Sequence, residues 1–130
     1  FRSWFINFDP VKAKAEGKFT CFLSAETKLP MMFMDDAIRG TIELMEAPSE
    51  QIKIRSAYNL AGCSFTPAEL ASEIQALQPD FKIAYEPDFR QAIADSWPNS
   101  IDDSHAANDW GWKAQFDTKA MVKVMMENVE

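Results

Sequence analysis

The chain has 130 residues, 47% of them hydrophobic and 25% charged, with a formal net charge of −7. This length supports one domain with a modest core, and the composition is that of an ordinary globular protein rather than a disordered or fibrous one. The acidic balance leaves no basic stripe to displace counterions from phosphates, which argues against nucleic acid as a partner, and the longest apolar run, residues 29–34, is far shorter than the roughly 20 residues of a membrane helix.

Taken in chain order, residues 1–11 hold Phe1, Trp4, Phe5 and Phe8 with no helical or strand period. They form an atypical N-terminal segment ahead of a domain over residues 12–130. Asp9-Pro10 breaks the chain, because the residue before proline is pushed away from helix. Lys12 to Gly17 predicts one or two helical turns closed by Gly17. Lys18 to Ser24 alternates, with Phe19, Cys21 and Leu23 on one face, and predicts a strand. Residues 30–34 read as a short extended run leading to Asp35 and Asp36, either of which can cap the helix that follows. That helix sets Ile38, Ile42 and Met45 on one face and stops before Pro48. Ile52 to Leu60 alternates again and predicts a second strand, closed by Gly62.

The clearest helix start is Thr66-Pro67-Ala68-Glu69, a capping box with proline at the first helical position. Leu70, Ile74 and Leu77 form its expected buried stripe. Asp80 to Glu86 predicts a third strand with Phe81, Ile83 and Tyr85 aligned. Asp88 to Ser96 predicts a short helix broken by Trp97-Pro98. Asp102 or Asp103 can cap a helix towards Trp110-Gly111, and Asp117 a final one carrying Met121, Val124, Met125 and Val129. The fold class is α/β or α+β, with a few short strands and flanking helices.

The candidate chemistry is sparse. Gly17, Gly40, Gly62 and Gly111 are too far apart for a phosphate-cradling loop. The single histidine, His105, makes a zinc site improbable and reads as a surface residue. Asp35-Asp36 and Asp102-Asp103 invite an acid/base or metal reading, but adjacent helical residues point apart, and capping explains both pairs. Trp110 and Trp112 are expected to pack a helix end against the sheet, and Met31, Met32, Met34, Met121, Met125 and Met126 to fill the core. Cys21 and Cys63 read as buried thiols of a reducing, cytoplasmic compartment. Trp97 is the exception: a large ring in a polar, irregular stretch can wall a small-molecule pocket, with plain packing as the alternative.

Phe1 in place of methionine points to processing or to a piece of a longer protein, and no signal-peptide pattern occupies the first eleven residues. From Leu29 onward the chain resembles the extended short-chain dehydrogenases/reductases, which include sugar-nucleotide epimerases and dehydratases. The resemblance rests on residues 29–38, on residues 56–70 and on the Asp103 to Trp112 pattern before the last helix. Within that superfamily, residues 88–98 resemble the short-chain type of NAD-dependent L-threonine 3-dehydrogenase. Near-complete coverage, over residues 12–130, supports it.

The resemblance implies the substrate-side, C-terminal part of an enzyme that oxidises L-threonine to 2-amino-3-ketobutyrate with NAD. It also implies that Trp97 lines the threonine pocket, while Arg90, Asp95 and Ser96 shape the loop around it. In the family a Rossmann half binds NAD and a Tyr-x-x-x-Lys pair activates the hydroxyl. Tyr58 and Tyr85 are the only tyrosines here and neither is followed by lysine four residues on. No catalytic residue, bound cofactor or metal is therefore expected in this chain, and no activity of the chain alone. Homo-oligomers are expected, because apolar surface that would face the cofactor half favours self-association. A fragment of an epimerase or dehydratase is the further alternative.

Overall fold

The computed structural model describes residues 15–128. Their elements are strand β1 (Lys18–Cys21), strand β2 (Leu29–Met31), helix α1 (Met34–Glu46), strand β3 (Cys63–Phe65), helix α2 (Pro67–Leu77), strand β4 (Lys82–Tyr85), helix α3 (Arg90–Asp95), helix α4 (Ser104–Trp110) and helix α5 (Thr118–Asn128). The aromatic segment at residues 1–11, the start of the helix predicted before Gly17, and Val129 lie outside the described residues.

Two small sheets result. β1 and β4 run parallel, from Lys18 opposite Lys82 to Cys21 opposite Tyr85. The ladder is prolonged at both ends, where Lys82 donates to Gly17 and Glu86 to Cys21. β2 and β3 are antiparallel, with Leu29 opposite Phe65 and Met31 opposite Cys63. The alternation read in the sequence sends Cys21, Leu23 and Phe81 inward, where they meet Phe65, Leu70, Ile74, Met121 and Val122 in one core. Burying a ring such as Phe81, 2% exposed, contributes on the order of 2–3 kcal/mol.

The capping box forms as its spacing predicts. Glu69 N donates to Thr66 Oγ1 at 3.2 Å, and Thr66 N donates to Glu69 Oε2 at 2.8 Å. Two otherwise orphaned amides are satisfied at the start of α2. Asp117 caps α5 with a single bond, accepting from Ala120 N at 2.7 Å. At the other end of α4, Gly111 takes φ +82°, which lets its own amide and that of Trp112 reach back to Ala107 and Ala106. That left-handed turn is what aims Trp112 inward.

Several expectations are corrected. Residues 52–60 form no strand, although Ile52, Ile54, Tyr58 and Leu60 are half-buried. The amides of Lys53 and Ile54 both donate to Tyr58 Oη, so the chain curls on its own side chain instead of pairing with a neighbour. The strand itself comes later, at β3.

Neither Asp35 nor Asp36 caps α1, whose N-cap is Phe33 without a side-chain bond. Leu77 is exposed rather than part of the α2 stripe, and Met34 lies in solvent rather than in the core. Asp103 stands at the N-cap of α4 but makes no capping bond there; its Oδ2 instead accepts from Ala61 N at 3.3 Å. Trp112 does not pack on a sheet. It is wedged between α1 and residues 60–61, its Nε1 donating to Ala61 at 3.1 Å and the Arg39 guanidinium 4.6 Å above its ring.

Candidate functional site

The ends of three segments enclose a cleft of about 310 Å³. One wall is the end of β2, with Met31 and Met32. The second is the run Leu60 to Ser64 entering β3. The third is the connection from α3 to α4, with Trp97 and Ile101. Two of these walls touch so closely that only glycine fits between them. A Cβ at Gly62 would stand 2.6 Å from the Met31 carbonyl oxygen and 2.8 Å from Met32 Cα.

Trp97 lines this cleft, half-buried and packed against the edge of the core. It follows α3 directly, and its amide donates to Ala94. The neighbouring polar residues hold the backbone rather than point into the cleft. Arg90 forks onto both oxygens of Asp88 and its guanidinium stacks 3.3 Å over the Phe22 ring. Ser96 Oγ donates to Ile93 at 2.6 Å, and Asp95 accepts from Gln91.

The lining is apolar apart from the Ser64 hydroxyl, the Cys63 thiol and main-chain groups, and no charged side chain faces it. Burial pushes the Cys63 thiol up, and a hydrogen bond with Thr118 offsets this only in part. A thiol held protonated is a poor nucleophile. The cleft can thus receive an apolar group and hold it by contact.

The two carboxylate pairs separate, Asp35 and Asp36 as adjacent residues on a helix must, Asp102 and Asp103 in the stretch that leads into α4. Asp36 is fully buried while Asp35 is exposed, and Asp102 accepts from Ser104 N while Asp103 reaches Ala61. His105 is exposed on α4. Among the described residues no group of three or more His, Cys, Asp or Glu is placed to hold a metal ion, and no helix is long and apolar enough to cross a membrane.

Among the described residues no cluster of glycines opens a helix. The first amides of α2 are occupied by its own capping box, and the four glycines stay dispersed, Gly17 before β1 and Gly111 after α4. The sequence reading missed Met31, Met32 and Gly62 as parts of the cleft. Methionines look alike in a core and in a pocket wall, and a close backbone approach leaves no periodic signal.

No protein-family model matches the chain. Among curated proteins it is 52% identical over 115 residues to the mitochondrial L-threonine 3-dehydrogenase of Sus scrofa, covering 88% of this chain and 31% of that protein. It is 48% identical over 120 residues to an uncharacterized epimerase/dehydratase of Staphylococcus saprophyticus, covering 92% and 38%. The chain thus spans about a third of the length of these relatives, and the match falls on their C-terminal part.

Among solved structures, the apo GalE-like L-threonine dehydrogenase of Cupriavidus necator superposes with a TM-score of 0.89 at 54% identity, over 96% of this chain and 46% of that one. An NAD-dependent NDP-hexosamine 5,6-dehydratase of tunicamycin biosynthesis superposes with a TM-score of 0.72 at 13% identity, over 98% and 40%, a likeness of fold alone.

Proposed function

We propose that this chain, similar in sequence and fold to the C-terminal part of L-threonine 3-dehydrogenases among the extended short-chain dehydrogenases/reductases, forms the substrate side of such an enzyme. NAD and the activating Tyr-x-x-x-Lys pair belong to the other part of that enzyme. The observation that carries the reading is Trp97, which walls an apolar cleft at the end of residues 88–98, the stretch that resembles the threonine dehydrogenases. An uncharged cleft suits the methyl end of L-threonine, while its ammonium and carboxylate need partners that this cleft does not offer. The free thiols Cys21 and Cys63 suit a reducing setting such as the cytoplasm.

The test is a calorimetric or fluorescence titration of the chain with L-threonine and, separately, with a UDP-sugar. L-threonine binding is expected, with Trp97→Ala weakening it about thirtyfold, as the loss of a central aromatic contact of ~2 kcal/mol would do. No oxidation of L-threonine by the chain with added NAD is expected. Binding of the UDP-sugar alone would transfer the reading to the epimerases and dehydratases.

A second reading, self-association, is favoured by α1. Met34, Ile38, Ile42 and Met45 follow one another at helical spacing on its outer side and are 43%, 53%, 48% and 80% exposed, while Asp36 and Gly40 occupy the buried side. Such a stripe is a contact surface in search of a partner. Light scattering is expected to give a dimer at high concentration. Ile42→Lys is expected to make it monomeric while changing unfolding stability by no more than about 0.5 kcal/mol.

A further inference from the structure

Trp97 can serve the cleft only if its backbone is held in place, and the short helix before it is too small to hold itself. α3 has six residues, an N-cap with no side-chain bond and one buried side chain, Ala94. Isolated helices of this length have no stability of their own. Ala94 in the core and the Arg90 guanidinium over Phe22 hold it in part; the remaining ties are polar and centred on one amide. Gln91 Oε1 accepts from Ser24 N at 2.8 Å. Its Nε2 donates to Thr27 Oγ1 at 2.8 Å and to Asp95 Oδ1 at 2.6 Å. Thr27 is itself buried and shares a 2.6 Å hydrogen bond with Ser24. One side chain thus ties the first turn of α3 to a loop more than sixty residues away, and also to the last residue of α3, two places before Trp97.

We propose that Gln91 is the positioning residue that sets Trp97 against the cleft, through its bonds to the Ser24–Thr27 loop and to Asp95. The proposal rests on the reading of Trp97 as the ligand-facing wall. An amide is suited to the place because it accepts from one side and donates two hydrogens on the other. Leucine has neither capacity. A glutamate would keep the acceptor but lose both donors while ionised, and would set a second negative charge beside Asp95.

The chain labelled with 5-fluorotryptophan gives one fluorine resonance per tryptophan, and Trp97→Phe identifies that of Trp97. Gln91→Leu is expected to move or broaden the Trp97 resonance while those of Trp110 and Trp112 stay in place. Gln91→Glu is expected to do the same at pH 7 and to return the resonance towards its wild-type position as the pH falls to about 4.5. There the introduced carboxyl, its pKa raised above ~4.3 by the neighbouring Asp95, regains a proton to donate. The wild-type resonance is expected to stay still over the same range.

Should Gln91→Leu fail to fold, Thr27→Val removes one of the three bonds and is expected to move the resonance in the same direction by less. A Trp97 resonance unmoved by these changes, or moved together with those of Trp110 and Trp112, overturns the proposal. L-threonine affinity is expected to fall about tenfold in Gln91→Leu, the equivalent of one lost hydrogen bond. A chain that binds no L-threonine, yet shows the selective shift, would overturn the assigned substrate and leave the role of Gln91 standing.

Discussion

Replacing Asp36 with alanine is expected to cost the fold about 3 kcal/mol, measured as a lowered urea midpoint at unchanged slope. The side chain is fully inaccessible, 0% exposed, and its two oxygens collect the amides of Gln115 and Phe116, at 3.0–3.1 Å, and an Arg39 nitrogen at 2.8 Å. The two amides come from a segment almost eighty residues away, so the carboxylate ties the start of α1 to the chain that leads into α5. Arg39 in turn donates to Lys113 O and Glu43. Alanine would leave the two amides without their acceptor and take one of three from the guanidinium, and an unsatisfied donor away from water costs its full desolvation penalty.

The same site sets a pH dependence. Burial alone would raise the Asp36 carboxyl, but the Arg39 hydrogen bond and the two amides outweigh it and hold the group below the ordinary aspartate value. A native value below the unfolded one means that the unfolded chain binds the proton more readily, so stability rises with pH. The contribution is complete above the unfolded value near ~4 and is lost as pH falls through the lowered native value. Urea titrations between pH 6 and pH 3 are expected to show that loss in the wild type and a flatter profile in Asp36→Asn. Equal slopes in the two proteins would show that Asp36 is not its source.

The second large effect is expected at Gly62. A Cβ there meets a carbonyl oxygen at 2.6 Å and Met32 Cα at 2.8 Å. Both are backbone atoms of the paired strand end, so no side chain can swing aside. Gly62→Ala is expected to destabilise by about 3 kcal/mol, at the upper end of overpacking costs, by forcing β2 and the entry to β3 apart. Because both segments wall the cleft, L-threonine binding is expected to fall even at temperatures where the variant remains folded. A variant with wild-type stability and unaltered binding would mean that the two segments separate freely, against the packing described.

How legible all this was differs from one feature to the next. The α2 start at Thr66, Pro67 and Glu69, the α5 cap at Asp117 and the glycine stop at Gly111 could be read because each is a short-range pattern whose hydrogen bonds close within a few residues. The inward faces of β1 and β4 could be read because alternation is intrinsic to an extended chain. Residues 52–60 alternate just as well, yet Tyr58 takes the amides that a strand would offer a neighbour. Which acceptor wins is decided by position in space and not by period.

Trp97 could be singled out by its polar, proline-bound setting and by resemblance, while its partners in the cleft could not. Met32, Gly62 and Ile101 are brought together by the β2–β3 pairing and by the turn after α3, from three distant stretches of chain. Asp36 read as a helix cap because its immediate neighbours allow that; its actual acceptor role depends on Gln115 and Phe116, which no local window contains.

The amino-acid sequence by itself thus determined the class of the domain, most helix boundaries, the acidic surface and the absence of clustered glycines, since all of these are local or compositional. The tertiary structure alone decided that Trp97 faces a cleft, that Gln91 holds its helix and that α1 turns its apolar stripe outward. Those outcomes depend on contacts between residues far apart in the chain, whose energies appear only once the chain has closed on itself.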